Sequence, residues 1–139
     1  MENEITMTLN EFAPTRNFAV GNDIVFLPNF ELSLNELFIK KAYTANEITY
    51  CDQFDDSLLR YASTWAAKEA VYKALKQIDN SALGFKKIEI IREKNAGQPH
   101  VIIHQKLANV KISLTISHDG EYVWAIAFIE KLNSYHAGE

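Results

Sequence analysis

The clearest hydrophobic pattern in the chain is a run at helical spacing over residues 65–75, with the sequence WAAKEAVYKAL. The run is apolar on nearly every side, and a helix of that kind is buried within the protein. Asp56 or Ser57 can cap the start of such a helix, which then extends to about Lys76 or Gln77 before the breaker Asp79-Asn80-Ser81. The pattern therefore predicts one long, central helix.

Two shorter helices are predicted ahead of it. Apolar residues recur at helical spacing over 33–41, where Ser33 as N-cap and Glu36 three residues later fit a capping box. Thr44-Ala45-Asn46-Glu47 repeats that pattern and predicts a short helix through Tyr50.

The second half of the chain changes to the two-residue period of β-strands. The residues over 110–117 alternate most regularly, apolar on one face and small polar on the other. The segment 122–129 is apolar on both faces, which predicts a strand that is central in a sheet or buried in a subunit interface. The predicted strands cover 18–25, 85–92, 101–103, 110–117 and 122–129, with turns at 95–99 and 118–121.

This order predicts an α+β domain, an antiparallel sheet packed against a long helix plus short helices. No internal repeat or linker-like tract divides the chain, so we assign one domain to 18–131. Residues 1–17 form an N-terminal extension, in which Ile5, Met7 and Leu9 alternate weakly as in a short strand, and 132–139 form a tail.

Composition narrows the class of protein. The chain has 139 residues, 47% of them hydrophobic and 23% charged, which suits a single globular domain. Cys51 is the single cysteine, so a disulfide framework is excluded, and we expect a buried thiol in a reducing compartment. The N-terminus has neither a basic nor a long apolar run, which predicts a cytoplasmic protein without a signal peptide or membrane span. The net charge of −4 argues against nucleic-acid or anionic-membrane partners.

Glu69 is the candidate for chemistry, because a carboxylate on a buried helix needs a cation or a partner charge. The simpler interpretation is an ion pair with Lys73 at i,i+4, which stabilises a helix by only about 0.2–0.5 kcal/mol. Most of the other local cations, Lys68 among them, are expected to lie on a solvated surface.

Three segments in order resemble the 4'-phosphopantetheinyl transferases, and specifically the short holo-acyl-carrier-protein synthase type. They are Val20-Gly21-Asn22-Asp23-Ile24-Val25, the run over 65–75, and Ser113-Leu114-Thr115-Ile116-Ser117-His118-Asp119-Gly120. The resemblance covers about Phe18 to Lys131.

The resemblance implies a magnesium-dependent transfer of the phosphopantetheine arm of coenzyme A to a serine of an acyl or peptidyl carrier protein. Adenosine 3',5'-bisphosphate would be released, and catalysis would consist mostly of positioning and charge neutralisation. Mg²⁺ takes oxygen ligands, typically one or two carboxylates together with substrate phosphates. The resemblance also implies a homotrimer with its sites at subunit interfaces.

The resemblance assigns a role to each matching residue. Asp23 and Glu69 match the two magnesium ligands, and Glu69 is also the best candidate to accept the serine proton. Lys73 would meet the pyrophosphate. His118 matches a histidine that contacts a coenzyme A phosphate, and it would act across the interface. Gly97-Gln98-Pro99 would border the nucleotide. Taken singly, Asp23 is better explained as a strand-end cap and His118 as a turn histidine. The assignment therefore depends on the joint occurrence of all four charged or polar residues, Asp23, Glu69, Lys73 and His118, within matching local sequence.

Three departures from the family pattern bear on this assignment. Asn22 replaces a usual isoleucine next to Asp23, and Thr64 stands where an arginine is common, so one phosphate contact is in doubt. Asn29 stands where many relatives carry an arginine that docks an acidic carrier. The helix that follows is short of basic residues until Lys40-Lys41, and this altered docking surface favours a specialised carrier protein.

Two alternatives stay open at this point. One is a degenerate homologue that binds carrier protein or coenzyme A without transfer. The other is a thioester enzyme of the hot-dog class, whose chemistry needs neither Glu69 nor Lys73.

Overall fold

The computed structural model describes residues 17–93, 97–107 and 109–132. All of the predicted N-terminal extension except Asn17, with its weak strand, lies outside these residues, as do most of the tail and part of the turn at 95–99. The strands are β1 (Phe18–Phe26), β2 (Ile88–Ile91), β3 (His100–Ile103), β4 (Val110–Asp119) and β5 (Tyr122–Lys131). The α-helices are α1 (Leu27–Ser33), α2 (Glu36–Ala42), α3 (Ala45–Asp52) and α4 (Ser57–Leu75), and a 3₁₀ turn covers Phe85–Lys87.

The strands form two antiparallel sheets, which confirms the α+β class. The larger sheet has the order β1-β5-β4, and the smaller consists of β2 and β3. β5 is therefore the central strand, as its apolar character predicted. Its register places Ala125 between Asp23 on β1 and Ile116 on β4, so all three residues face the same side of the sheet.

Helix α4 packs across that inner side of the larger sheet. Its alanines are fully buried, and so are the small inward residues Ala125 and Ala127 of β5. Small side chains on both surfaces let the helix backbone approach the sheet closely. The approach is tightest at Gly21, where an added Cβ would lie 2.0 Å from the carbonyl oxygen of Ala70. Only a glycine fits at this crossing.

A buried polar network joins α3, α4 and β2. Lys68 Nζ donates to Glu47 Oε1 at 2.6 Å and to the carbonyl oxygen of Ile88 at 2.7 Å. The other oxygen of Glu47 accepts from the backbone N–H of Ile90 at 2.8 Å. Lys68 is fully buried, and is thus an exception to the solvated surface expected for most of the local cations. Each charge is compensated by its partner and by backbone groups, which a buried pair requires.

Most predicted helix boundaries agree with the structure, and one cap differs. The capping box of Thr44 and Glu47 is present at α3. Ser33, however, ends α1, a helix that the sequence analysis did not predict, and Asn35 caps α2 by accepting the N–H of Phe38 at 2.9 Å. The strand predicted over 85–92 begins only at Ile88, because the three residues before it form a 3₁₀ turn.

Candidate functional site

Asp23 on β1 and Lys73 on α4 form an ion pair. Lys73 Nζ lies 3.0 Å from Asp23 Oδ1 and donates to the carbonyl oxygen of Asn22 at 3.1 Å. Glu69 lies one helical turn before Lys73 on α4, close enough to both groups for their charges to shift its pKa. Lys73 thus forms its ion pair with Asp23 of β1, a partner outside its own helix. We refer to Asp23, Glu69 and Lys73 as the carboxylate cluster.

Close contact between β1 and α4 explains why these residues meet. Gly21 lets the two backbones touch two residues before Asp23. One turn beyond Lys73, Gln77 Nε2 donates to the carbonyl oxygen of Val20 at 2.8 Å. The strand is therefore fastened to the helix on both sides of Gly21, and Asp23 has little freedom to move away from α4.

The electrostatics of Glu69 are unfavourable for a negative charge. Burial raises the pKa of Glu69, the neighbouring Asp23 carboxylate raises it further, and the Lys73 ammonium partly offsets both effects. Two carboxylates share this place with one ammonium that is half-exposed. A second cation near Glu69 would relieve this repulsion.

The donor set suits a hard divalent cation. Both acidic residues offer oxygen atoms, the ligands that Mg²⁺ prefers, and its shell is commonly completed by substrate phosphates and water. Within the described part of the chain, no three His, Cys, Asp or Glu side chains are grouped to hold a metal ion. The two carboxylates therefore fit an Mg²⁺ ion whose remaining positions are filled by substrate phosphates and water. They do not fit a metal ion coordinated by protein side chains alone.

His118 belongs to a different part of the surface. It lies at the end of β4 and lines a cavity of about 300 Å³ together with Gly97, Pro99, Arg60 and Arg92. Gln98 borders an adjoining cavity with the same Gly97 and Pro99. We call the first of these the His118 cavity. The residues of the carboxylate cluster do not line it, so one chain holds the predicted site residues in two separate groups.

Arg92 is a residue that the sequence analysis missed. Its Nη2 donates to the hydroxyl of Thr64 and, at 3.2 Å, to the carbonyl oxygen of Arg60. In the sequence it is one arginine after a strand, with no partner suggested by its spacing. The nearest indication in the sequence was Thr64, which stands where an arginine is common in the family. That replacement marked a position near which a cation was expected.

Comparisons with known proteins show the family to which the chain belongs. Residues 19–127 match the family model described as the 4'-phosphopantetheinyl transferase superfamily. The chain is 33% identical over 121 residues to a holo-[acyl-carrier-protein] synthase of Aquifex aeolicus, covering 81% of this chain and 98% of the relative. It is 34% identical over 119 residues to the fatty acid synthase subunit alpha of Candida parapsilosis. That alignment covers 80% of this chain but only 6% of the much longer subunit.

A solved structure extends the similarity to three dimensions. The Chronobacterium ammoniagenes ACPS–CoA complex matches with a TM-score of 0.71 at 25% identity, covering 85% of this chain and all of that one. Of the helices in the described ranges, none is both long and apolar enough to cross a bilayer. Since the family model covers well over half of the sequence, the chain belongs to the 4'-phosphopantetheinyl transferase superfamily, as its sequence motifs predicted.

Proposed function

We propose that this protein transfers the 4'-phosphopantetheine group of coenzyme A to a serine of an acyl or peptidyl carrier protein, in a reaction that requires Mg²⁺. The serine oxygen forms a bond to the phosphorus that carries the pantetheine arm, and the pyrophosphate bond to the nucleotide breaks. Adenosine 3',5'-bisphosphate leaves. The observation that carries the proposal is the convergence of Asp23, Glu69 and Lys73 from β1 and α4.

Asp23 and Glu69 are the residues that would hold the metal ion. When bound, Mg²⁺ supplies positive charge that stabilises the pyrophosphate and the leaving group. Glu69 is also placed to take the proton of the serine hydroxyl.

Lys73 is the fixed cation of the site. Its ammonium, about half-exposed, is already held by Asp23 and by the backbone of β1. A positioned ammonium of this kind can bind the pyrophosphate of coenzyme A and stabilise the negative charge that accumulates on the departing nucleotide.

We further propose that the active assembly is a homotrimer with sites at its subunit boundaries. The two groups of site residues lie apart in a single chain, so a neighbouring copy could bring its His118 cavity to the carboxylate cluster of another. The outer face of the larger sheet supports association. It exposes Ile24 by 57%, Val20 by 47% and Trp124 by 46%, and contiguous apolar patches on a surface commonly mark interfaces. The number three rests on the family resemblance alone.

The test is the intact mass of an acyl carrier protein after incubation with the protein, coenzyme A and MgCl₂. A carrier of fatty acid synthesis is the first choice, because the relatives are named as holo-[acyl-carrier-protein] synthases and fatty acid synthase subunits. We expect the mass of one phosphopantetheine group to be added, and chelation of the metal to prevent it. A peptidyl carrier with few acidic residues on its docking helix provides the comparison for a specialised carrier.

The variants Asp23→Asn and Glu69→Gln should each lower the rate by more than the roughly 10–100-fold typical for losing a group that only supports a metal ligand, because each removes a charged oxygen ligand itself. Asp55→Asn is the matched control, since Asp55 is an exposed carboxylate outside the carboxylate cluster. If coenzyme A binds but no carrier gains mass, the protein is a binding homologue and the transfer proposal is wrong.

A further inference from the structure

Helices α1 and α2 lie beside the carboxylate cluster. β1 runs directly into α1, which begins at Leu27, shortly after Asp23. The Phe38 ring of α2 packs on Trp65 of α4 with the ring centroids 5.0 Å apart, and Trp65 lies one helical turn before Glu69. A small domain is about 30 Å across, which is large compared with these separations. A carrier protein that brings its serine to Glu69 is therefore large enough to cover part of α1 and α2 as well.

A cavity of about 660 Å³ opens between α1, α2, α3 and the start of α4. Its apolar lining comes from Leu34, Ile39, Ile48 and Leu58. It shares no described lining residue with the His118 cavity, and no residue of the carboxylate cluster lines it. The volume lies within the range of cavities that hold small ligands, so apolar side chains of a partner can enter it. We call it the helix cavity.

Two leucines on the same helices are exposed to an unusual degree. Leu32 in α1 is 85% exposed and Leu37 in α2 is 61% exposed, the two highest values among the large hydrophobic side chains that the structure describes. Neither belongs to the larger sheet, so the association proposed for the outer sheet face does not cover them. Exposed apolar side chains beside an apolar cavity commonly mark a place where a partner binds.

The surface around the helix cavity is acidic. Glu31 and Glu36 line the cavity, are exposed and form no ion pair with another described residue. Asp52 adds a third carboxylate, which already accepts a tyrosine hydroxyl at 2.8 Å. Lys40 is the one cation among the described lining residues, and residues 27–39 contain no Lys, Arg or His. An acidic partner would therefore meet like charges here, whereas a basic partner would meet unpaired carboxylates.

We propose that α1 and α2 dock a carrier protein whose surface beside the modified serine carries apolar side chains flanked by lysine or arginine. This inference rests on the proposed function. The docking surface consists of Glu31, Leu32, Glu36, Leu37 and the helix cavity, and we call it the acidic docking face. Apolar side chains of the carrier enter the helix cavity and cover the two leucines, while its cations pair with the two glutamates. Complementary charge of this kind selects the partner and speeds its association.

The first experiment measures transfer from coenzyme A to one acyl carrier protein in three forms. In the first form the surface beside the serine is acidic, in the second the Asp and Glu residues there are replaced by Asn and Gln, and in the third by Lys. The kcat/KM for the carrier should rise at each step and by about 10-fold or more overall, mainly through KM, because each exposed ion pair contributes up to about 5-fold. Raising NaCl to about 0.5 M should reduce the difference, since salt screens exposed charges.

Variants of the protein locate the effect. Glu31→Lys and Glu36→Lys, combined in one double variant, should reverse the preference, so that the acidic carrier becomes the best substrate by about 10-fold. Glu36→Lys alone should act in the same direction but less. Its matched control is Asp55→Lys, since Asp55 is an exposed carboxylate that does not line the helix cavity. Leu32→Ser should raise the KM for every carrier form by about 3–10-fold, and none of these changes should alter the KM for coenzyme A.

The outcomes separate this inference from the proposed function. Binding is measured by calorimetry with the same three carriers after their serine has been replaced by alanine. Tighter binding of the lysine form supports the acidic docking face even if no carrier gains mass, in which case the transfer proposal is wrong. Transfer that is fastest with the acidic form, or equally fast with all three, refutes the acidic docking face and leaves the proposed function intact. Because these comparisons use the wild-type protein, they decide the matter even if the double variant does not fold.

Discussion

Gly21→Ala is the substitution that most directly tests how the fold builds the carboxylate cluster. The added methyl carbon would lie 2.0 Å from the carbonyl oxygen of Ala70 and 2.8 Å from the backbone nitrogen of Ala74. Both atoms belong to the backbone of α4, so no side chain can rotate away to make room. β1 and α4 must separate.

The size of the effect follows from these distances. Restoring an ordinary contact of 3.4 Å from 2.0 Å requires a movement of about 1.4 Å along that line. Overpacking of this kind costs about 1–3 kcal/mol, and contact with backbone on both sides places Gly21→Ala at the upper end. Asp23 lies only two residues away and would move with the strand. Since a displacement of about 1 Å at a reacting centre can slow a reaction roughly 100-fold, transfer should fall by about that factor.

Gly84→Ala provides the matched control, because a Cβ there has no heavy atom within 4 Å and the backbone φ of −81° suits alanine. It should be neutral or stabilise by up to about 1 kcal/mol through the unfolded chain. Urea unfolding gives both stabilities, and transfer rates are measured well below the unfolding midpoint. A Gly21→Ala protein within about 0.5 kcal/mol of wild type and equally active would show that the crossing does not position Asp23.

Three further predictions concern the charges and the exposed sheet face. Because burial and the Asp23 charge raise the pKa of Glu69, the native state retains its proton to higher pH, and stability declines as pH rises through that pKa. Without metal at neutral pH, Glu69→Gln should therefore stabilise the fold by less than about 1 kcal/mol, and a melting temperature below that of the wild type would contradict this. Added Mg²⁺ should no longer stabilise the variant. Lys68→Met leaves Glu47 buried without its cation and should cost about 3–5 kcal/mol in urea unfolding, whereas a loss below about 1 kcal/mol would show that the pair contributes little. Trp124→Ser should give a folded monomer in light scattering, and an unchanged assembly would exclude the outer sheet face as the interface.

The sequence predicted the fold best where one periodicity runs over many residues. Helix α4 and strands β4 and β5 extend over 10 to 19 residues, and their boundaries agree with the structure within about two residues. Helix α1 has seven residues and no side-chain cap at its start, whereas the similarly short α2 and α3 follow cap-forming residues that helped to predict them. Its one signal was Pro28 in the first turn, a position where proline is favoured. Ser33 was assigned to the next helix because its own helix had not been recognised.

Long-range pairing is the part that periodicity could not supply. Lys68 and Glu47 are 21 residues apart, and nothing in the local sequence of either indicates the other. The pairing of Lys73 with Asp23, 50 residues away, could not be predicted from the local sequence either, although the resemblance had placed both residues in one site. Arg92 was missed for the same reason, since its environment is assembled from α3, α4 and the end of β2.

The carboxylate cluster couples the architecture of the protein to its proposed chemistry. Packing at Gly21 drives β1 against α4, and that packing brings the two negative charges of Asp23 and Glu69 together. Lys73 compensates Asp23 by direct contact, while the pKa of Glu69 stays raised. The fold therefore holds an electrostatic repulsion that a divalent cation would relieve, and any ligand that binds only the native state stabilises it. Metal affinity and the stability gained on metal binding should accordingly decrease together as β1 is displaced from α4.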